Sequence, residues 1–213
     1  MRSLWLCLFL CGLVLSGVNA QAGSIAITNY SFETPTISPG GYVPGSVTGW
    51  TGTGLVGVTN LSGQNKYSVP FPDGNNVAFI NGSGSFEQDL AGVTVSGGLG
   101  YTLSVWLGVR NDDPASLYQI QLLANGTPLT PSSSVNPTLV DYSGTFSQAT
   151  ETYSASSLAP YIGEPLSINL TEISGGQLDF DLVQLQTATP EPGSLTLLLA
   201  GALLAAVRLR RRA

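Results

Sequence analysis

Between residues 24 and 187 apolar side chains recur at every second position, in short runs cut by Gly, Pro, Asn and Ser. The clearest run is Tyr101 to Arg110, where Tyr101, Leu103, Val105, Leu107 and Val109 alternate with Thr102, Ser104, Trp106, Gly108 and Arg110. A period of two puts one set on a core face and leaves the other at least partly exposed, which predicts a strand. Leu117 to Ala124, the Asn125-Gly126 pair and Thr127 to Thr130 predict a hairpin, because Asn-Gly tolerates the positive φ angles of a tight turn. The same reasoning predicts strands at 24–28, 55–58, 77–80, 85–90, 144–153, 166–171 and 177–186. No helical period and no fixed-period repeat lies between them. The expected fold class is therefore all-β, an antiparallel β-sandwich over residues 21–187.

The two ends break this pattern. Residues 1–20 read as a secretory signal peptide: Arg2, an apolar stretch from Leu4 to Leu15, and Val18-Asn19-Ala20 as a small-residue cleavage site before Gln21. Residues 188–213 hold Pro190-Glu191-Pro192, an apolar stretch over 193–207 read as a single transmembrane helix, and Arg208, Arg210, Arg211 and Arg212 as the stop that stays cytoplasmic. At about 1.5 Å per residue that stretch spans only about 22 Å, so it would need snorkelling arginines or a thinned bilayer.

Composition narrows the chemistry. The chain of 213 residues has no His, and its two Cys, Cys7 and Cys11, lie in the leader. A His-based triad, a His metal site, a zinc ribbon, a Cys nucleophile and a disulfide framework are all excluded from the mature domain. With 26 Gly and 13 Pro, the chain is rich in turns. Residues 21–189 carry two basic residues, Lys66 and Arg110, against twelve acidic ones, a net charge of −10. Such a surface repels phosphate backbones, so nucleic acid is not an expected partner. It suits divalent cations or neutral sugars. Gly52-Thr53-Gly54-Leu55-Val56-Gly57 fits a dinucleotide fingerprint only by chance, since no helix-forming sequence follows it.

The order Pro-Glu-Pro, short apolar helix and terminal Arg cluster resembles the PEP-CTERM sorting signal of Gram-negative bacteria. In the middle region, Asn29-Tyr30-Ser31-Phe32-Glu33, Gly49-Trp50-Thr51, Pro72-Asp73-Gly74-Asn75, the segment Gly84 to Leu90, Tyr101-Thr102-Leu103-Ser104 and the closing Phe180-Asp181-Leu182-Val183 stand in an order similar to that of galactose-binding-like jelly rolls and carbohydrate-binding modules. The closing motif has Leu182 where such modules usually carry Asn, and leaves the acid in place. These resemblances imply an exported protein, anchored in the inner membrane before cleavage by an exosortase-type membrane protease and then displayed on the cell surface or released. They imply a structural Ca²⁺ held by Glu33 and Asp181, with Asn29 or Asp179 nearby. Calcium takes roughly six to eight oxygen ligands, the one donor type an acidic chain free of His and Cys offers.

A sugar surface needs aromatic platforms beside polar groups. Trp106, Arg110, Tyr118 and Trp50 are the candidates, with Trp50 also a natural core anchor because Gly-Trp follows a loop and opens a strand. No local pattern selects a catalytic pair among the carboxylates, so the expectation is not an enzyme. It is a non-catalytic module for extracellular polysaccharide, with a ligand-free structural component of the envelope or biofilm matrix as the alternative.

Overall fold

The computed structural model describes residues 23–188, and the leader, the Pro190-Glu191-Pro192 motif, the 193–207 stretch and the arginine tail lie outside them. Among the described residues the chain forms eleven strands: β1 (Gly23–Ile25), β2 (Tyr42–Pro44), β3 (Thr51–Asn60), β4 (Asn76–Thr94), β5 (Gly100–Val109), β6 (Leu117–Ala124), β7 (Thr127–Pro128), β8 (Ser133–Val135), β9 (Thr145–Tyr153), β10 (Pro165–Ser174) and β11 (Gln177–Ala188). One short 3₁₀ turn, Ala159–Tyr161, is the only helical element described. No described helix is long and apolar enough to cross a membrane.

The expectation of an all-β antiparallel protein holds, with one change of architecture. Hydrogen bonds join the strands into one sheet in the order β7-β6-β10-β4-β11-β5-β9-β8, with β3 also on β4, β2 on β3 and β1 on β11. The continuity comes from β4, whose 19 residues were expected as two separate strands. Its first part pairs with β11 at Ala78–Asn81, and its second part pairs with β10 from Gly84 onward. The sheet curls until its far ends meet, where the Leu122 N–H donates to Tyr153 Oη at 3.0 Å. The edge strands β2 and β8 were not expected, since three residues each, all exposed, carry no alternation to read.

The inside of the curl is the core. Val58, Ala78, Ile80, Phe86, Leu103, Val105, Leu107, Ile120, Leu122, Ile168, Leu170, Leu178 and Phe180 are buried there. Burial of a large apolar side chain contributes about 1.5–3 kcal/mol. Trp50 joins them at 2% exposure and packs on Phe32, with ring centroids 5.5 Å apart. Near the end of β11 the parity changes. Leu178 and Phe180 point inward, then Val183 and Leu185 do, because the pairing register with β5 shifts between Asp181 and Gln184. Leu182, at φ 47°, absorbs the extra residue of this bulge.

Candidate active site

The other face of the same strands carries a buried acid among aromatic rings. Cross-strand partners place Gly57, Phe79, Asp179, Gly108 and Phe146 in one row across β3, β4, β11, β5 and β9. Because residues directly opposite one another share a face, Asp179 stands between two aromatic positions and away from the core. The loop joining β3 to β4 then folds over it and brings Tyr67 and Phe71. Tyr67 stacks on Phe146 with centroids 4.3 Å apart, and Phe71 meets both rings edge-on at 5.7 and 5.9 Å. Tyr42 packs edge-on against Phe79 at 6.4 Å. The loop is tied down by the Ser68 N–H donating to the Gly144 carbonyl (2.9 Å) and the Asn111 N–H donating to the Lys66 carbonyl (3.0 Å).

Asp179 is fully buried. Tyr67 Oη donates to its Oδ2 at 2.6 Å and Gln177 Nε2 donates to its Oδ1 at 2.8 Å. Gln177 is oriented in turn by Arg110, whose Nη1 donates to Gln177 Oε1 at 3.0 Å, and Arg110 is held by Asp112, which Lys66 also contacts. Burial pushes the Asp179 carboxyl up to about 7, against the pull of Tyr67, Gln177 and Arg110. Burial and the Asp179 charge raise the Tyr67 phenol well above its ordinary value, so it stays a donor. The site therefore offers a carboxyl that holds a proton near neutral pH, fixed between two donors and enclosed by π-faces.

Gly108 makes the enclosure possible. A β-carbon there would lie 2.5 Å from both the Phe146 ring and Tyr67 Oη, far inside van der Waals contact. Gly108→Ala is expected to cost about 1–3 kcal/mol, the usual penalty for overpacking, and to push Tyr67 off Asp179. Chemical denaturation measures the first effect, and loss of the Tyr67-to-Asp179 hydrogen bond in a crystal structure of the variant measures the second.

Of the residues expected from sequence to bind calcium, two are engaged elsewhere and two converge. Asp179 belongs to the aromatic site. The Asn29 side-chain amide is spent on the backbone, donating to the Thr34 and Thr48 carbonyls and accepting from the Thr34 N–H. Glu33 and Asp181 do converge on one turn: Glu33 Oε1 accepts from the Asn75 and Asn76 N–H groups, and Asp181 Oδ2 accepts from the Asp73 N–H. Among the described residues no three His, Cys, Asp or Glu side chains gather into a metal-holding cluster.

The residues expected to bind sugar scatter as well. Trp50 is in the core. Trp106 stands opposite Asp181 and Gln148, one row from Asp179 on the same face, and Arg110 is engaged by Asp112 and Gln177. Tyr118 lines a separate groove of about 630 Å³ at the edge of β6. That groove does not contain Asp179, whose surroundings are filled by the protein's own rings. Tyr67, Phe71, Phe79, Phe146 and Gln177 were not singled out from sequence. Only Gly108, a bare position within the clearest alternation, hinted that something packs on that face.

Fold and site together define an all-β protein that buries a carboxyl of raised pKa under aromatic rings. The HpiC1-like family, described as HpiC1 cyclase, matches residues 23–186, and the chain belongs to that family. Among solved structures, the Stig cyclase Fisc from Fischerella sp. TAU in complex with (3Z)-3-(1-methyl-2-pyrrolidinylidene)-3H-indole is similar at 26% identity and a TM-score of 0.69, over 80% of this chain and 100% of that one. A cyclase from Fischerella sp. TAU in complex with 4-(1H-indol-3-yl)butan-2-one is similar at 26% identity and a TM-score of 0.67, over 80% and 100%. A further cyclase structure from Fischerella sp. TAU reaches a TM-score of 0.70 at 26% identity, over 81% and 100%. No curated protein matches the chain.

These findings correct the resemblance drawn from sequence. The family is one of cyclases, which overturns the reading as a PEP-CTERM protein with a carbohydrate-binding module and the expectation of a non-enzyme. The expected partners, an exosortase-type protease, the inner membrane and extracellular polysaccharide, fall with it. The physical reason is that the short motifs shared with galactose-binding-like domains, among them Gly84 to Leu90 inside β4 and Phe180 to Val183 inside β11, mark the strands and turns of the sheet rather than the side chains gathered on its outer face. The aromatic row beneath the β3–β4 loop, the candidate site, has no local signature.

Proposed function

We propose that this protein is an acid-initiated cyclase acting on a small aromatic substrate of the indole class. The observation that carries the reading is the Asp179 carboxyl, fully buried and held by Tyr67 and Gln177 among the rings of Tyr67, Phe71, Phe79 and Phe146. The family match and the indole ligands of the Fischerella structures support the substrate class. In this reaction Asp179 donates its proton to an unsaturated carbon of the substrate. The resulting cation is stabilised by the ring faces, which attract positive charge by about 0.5–2 kcal/mol each where water is excluded. A π-bond of the same molecule attacks the cation and closes a ring. The new cation then loses a proton to the Asp179 carboxylate, so the acid is restored and the product is an isomer of the substrate. Tyr67 and Phe71 cover the acid, so binding requires these rings to give way to the substrate.

The test is to incubate the full chain with indoles bearing an unsaturated side chain, in ordinary and in heavy water. An isomer of unchanged mass in H₂O, carrying one deuterium in D₂O, supports the reading. Binding of such indoles without any isomer, with Asp179 shown intact, sinks it.

Calcium has a structural place in this reading and no step of the reaction runs through it. Glu33 and Asp181 would hold it beside the turn around Asp73–Asn76, where burial raises the Asp181 carboxyl to about 8 and the charges of Asp73 and Glu33 add to the rise. An ion there would neutralise that charge, with backbone carbonyls and water completing an all-oxygen shell. Millimolar Ca²⁺ is expected to raise the melting temperature and Asp181→Ala to remove the increment. A curve that EDTA leaves unmoved in a calcium-loaded sample tells against it. The leader sequence adds that the domain works outside the cytoplasm, with a mature form beginning near Gln21.

A further inference from the structure

We propose that the groove between the edge of β6 and strand β9 is a second small-molecule site, for a protonated organic amine. The argument begins with the register of β9. Ala149, Glu151 and Tyr153 stand opposite Val105, Leu103 and Tyr101 of β5, and all of these except Glu151 belong to the apolar core. Alternation thus points a carboxylate inward at a position where the strand otherwise buries hydrocarbon. Glu151 is only 8% exposed and lines the groove. Tyr153 Oη donates to its Oε2 at 2.8 Å. Among the described residues its Oε1 accepts no hydrogen bond, and that oxygen is not sealed from the groove although the residue is more than nine-tenths buried.

Burial disfavours the charged form of this carboxyl and raises its pKa; a cation held against Oε1 would offset that cost, and none of the described residues provides one. No Lys or Arg among the described residues lines the groove. Lys66 and Arg110, the two basic residues of the middle region, are both engaged by Asp112 on the other face of β5. The rest of the lining suits the body of an organic cation: Leu117, Ile120, Leu139 and Ile173 supply apolar walls, and Tyr118 supplies a ring. Tyr118 Oη is occupied as a donor to the Pro137 carbonyl at 3.0 Å, which leaves its π-face rather than its hydroxyl for a ligand. A charged head beside a carboxylate and an aromatic face, with an apolar tail along a wall, is how an arylalkyl ammonium is recognised. The groove, about 630 Å³, is of the size that holds such a molecule. An anion is repelled by Glu151. The site is independent of the acid chemistry at Asp179.

Titration of the full chain with phenethylammonium and with its neutral counterpart 2-phenylethanol, followed by calorimetry, tests the proposal. The ammonium is expected to bind saturably and the alcohol at least about tenfold more weakly, the ratio expected when a charge-assisted hydrogen bond is lost. Glu151→Gln keeps an acceptor for Tyr153 and removes only the charge, so it should weaken the ammonium by about the same factor. Ile173→Trp, at a rim position that is 53% exposed, should block binding with Glu151 intact, and it decides the matter if the Gln variant does not fold. Asp179→Asn should leave ammonium binding unchanged. Equal binding by wild type and Glu151→Gln, binding lost only in Asp179→Asn, or no saturable binding at all would each overturn the proposal.

Discussion

Asp179→Asn should lower the rate of cyclisation by about 10²–10⁴-fold, the usual contribution of a positioned general acid, while the protein stays folded. The size follows from the reaction: without a carboxylic proton nothing in the aromatic enclosure can generate the cation, since Tyr67 keeps its proton too tightly to serve. The shape of the side chain is preserved, but the hydrogen bonding is not neutral. Asp179 accepts at both oxygens, and an amide can accept at only one of them. Oriented to accept from Tyr67, the new amide turns its NH₂ toward Gln177 Nε2. Gln177 cannot simply flip, because its Oε1 is held by Arg110. A cost of about 1–3 kcal/mol for the unsatisfied donor is expected, partly offset by the loss of a buried acid. Circular dichroism should therefore show a folded protein with a modestly lower melting temperature. Tyr67→Phe is the informative companion: it keeps the acid and most of the ring stacking and removes one donor. Its rate should fall by much less, about tenfold, the equivalent of one hydrogen bond. If Asp179→Asn retains activity within tenfold of wild type, the proton comes from elsewhere.

The strand pattern was legible because burial on one face leaves a mark every second residue. Tyr101 to Arg110 is the plainest case: its expected core set is buried, and Trp106, Gly108 and Arg110 fall on the other face, as alternation required. The joining of β4 into one strand was hidden, because Asn81 to Gly84 carries no apolar alternation between the two shorter runs, whereas a sheet that curls needs small residues where it bends. Of the site, the chain showed Asp179 and Asp181 as neighbours in an apolar strand, yet nothing in it says that the two acids have different surroundings. That difference is tertiary. Gly108 stands opposite Asp179 and leaves space for Tyr67, whereas Trp106 stands opposite Asp181. Tyr67 and Phe71 come from a Gly- and Pro-rich loop whose composition suggests exposure, and it is the backbone bonds to Gly144 and Asn111 that lay it over the sheet. Composition misled in one respect. The absence of His and Cys excludes several chemistries, but a buried Asp with a raised pKa is itself a complete acid catalyst.

Stability should fall as pH rises from about 5 to 8, and Glu172 identifies a large share of the cause. The residue is 1% exposed; Ser116 Oγ donates to Oε1 at 2.5 Å, and Oε2 is buried with no hydrogen-bond partner among the described residues. Burial raises the carboxyl to about 7, Ser116 opposes the rise, and the nearby Asp179 charge adds to it. In the unfolded chain the same group titrates at its ordinary 4.5. The folded state thus holds a proton that the unfolded state has released, and linkage then requires the stabilising term to be fully present below about 4.5 and to be lost as pH climbs through about 7. At about 1.4 kcal/mol per pKa unit, the loss from Glu172 is about 3 kcal/mol, a large fraction of the stability of a typical domain. Urea denaturation at pH 5, 6, 7 and 8 measures it directly. Glu172→Gln keeps an acceptor for Ser116 and has no charge to bury, so its unfolding free energy should exceed wild type at pH 8 and approach it at pH 5. A difference between the two proteins that does not change across this range would show that Glu172 ionises in the folded state as readily as in the unfolded one.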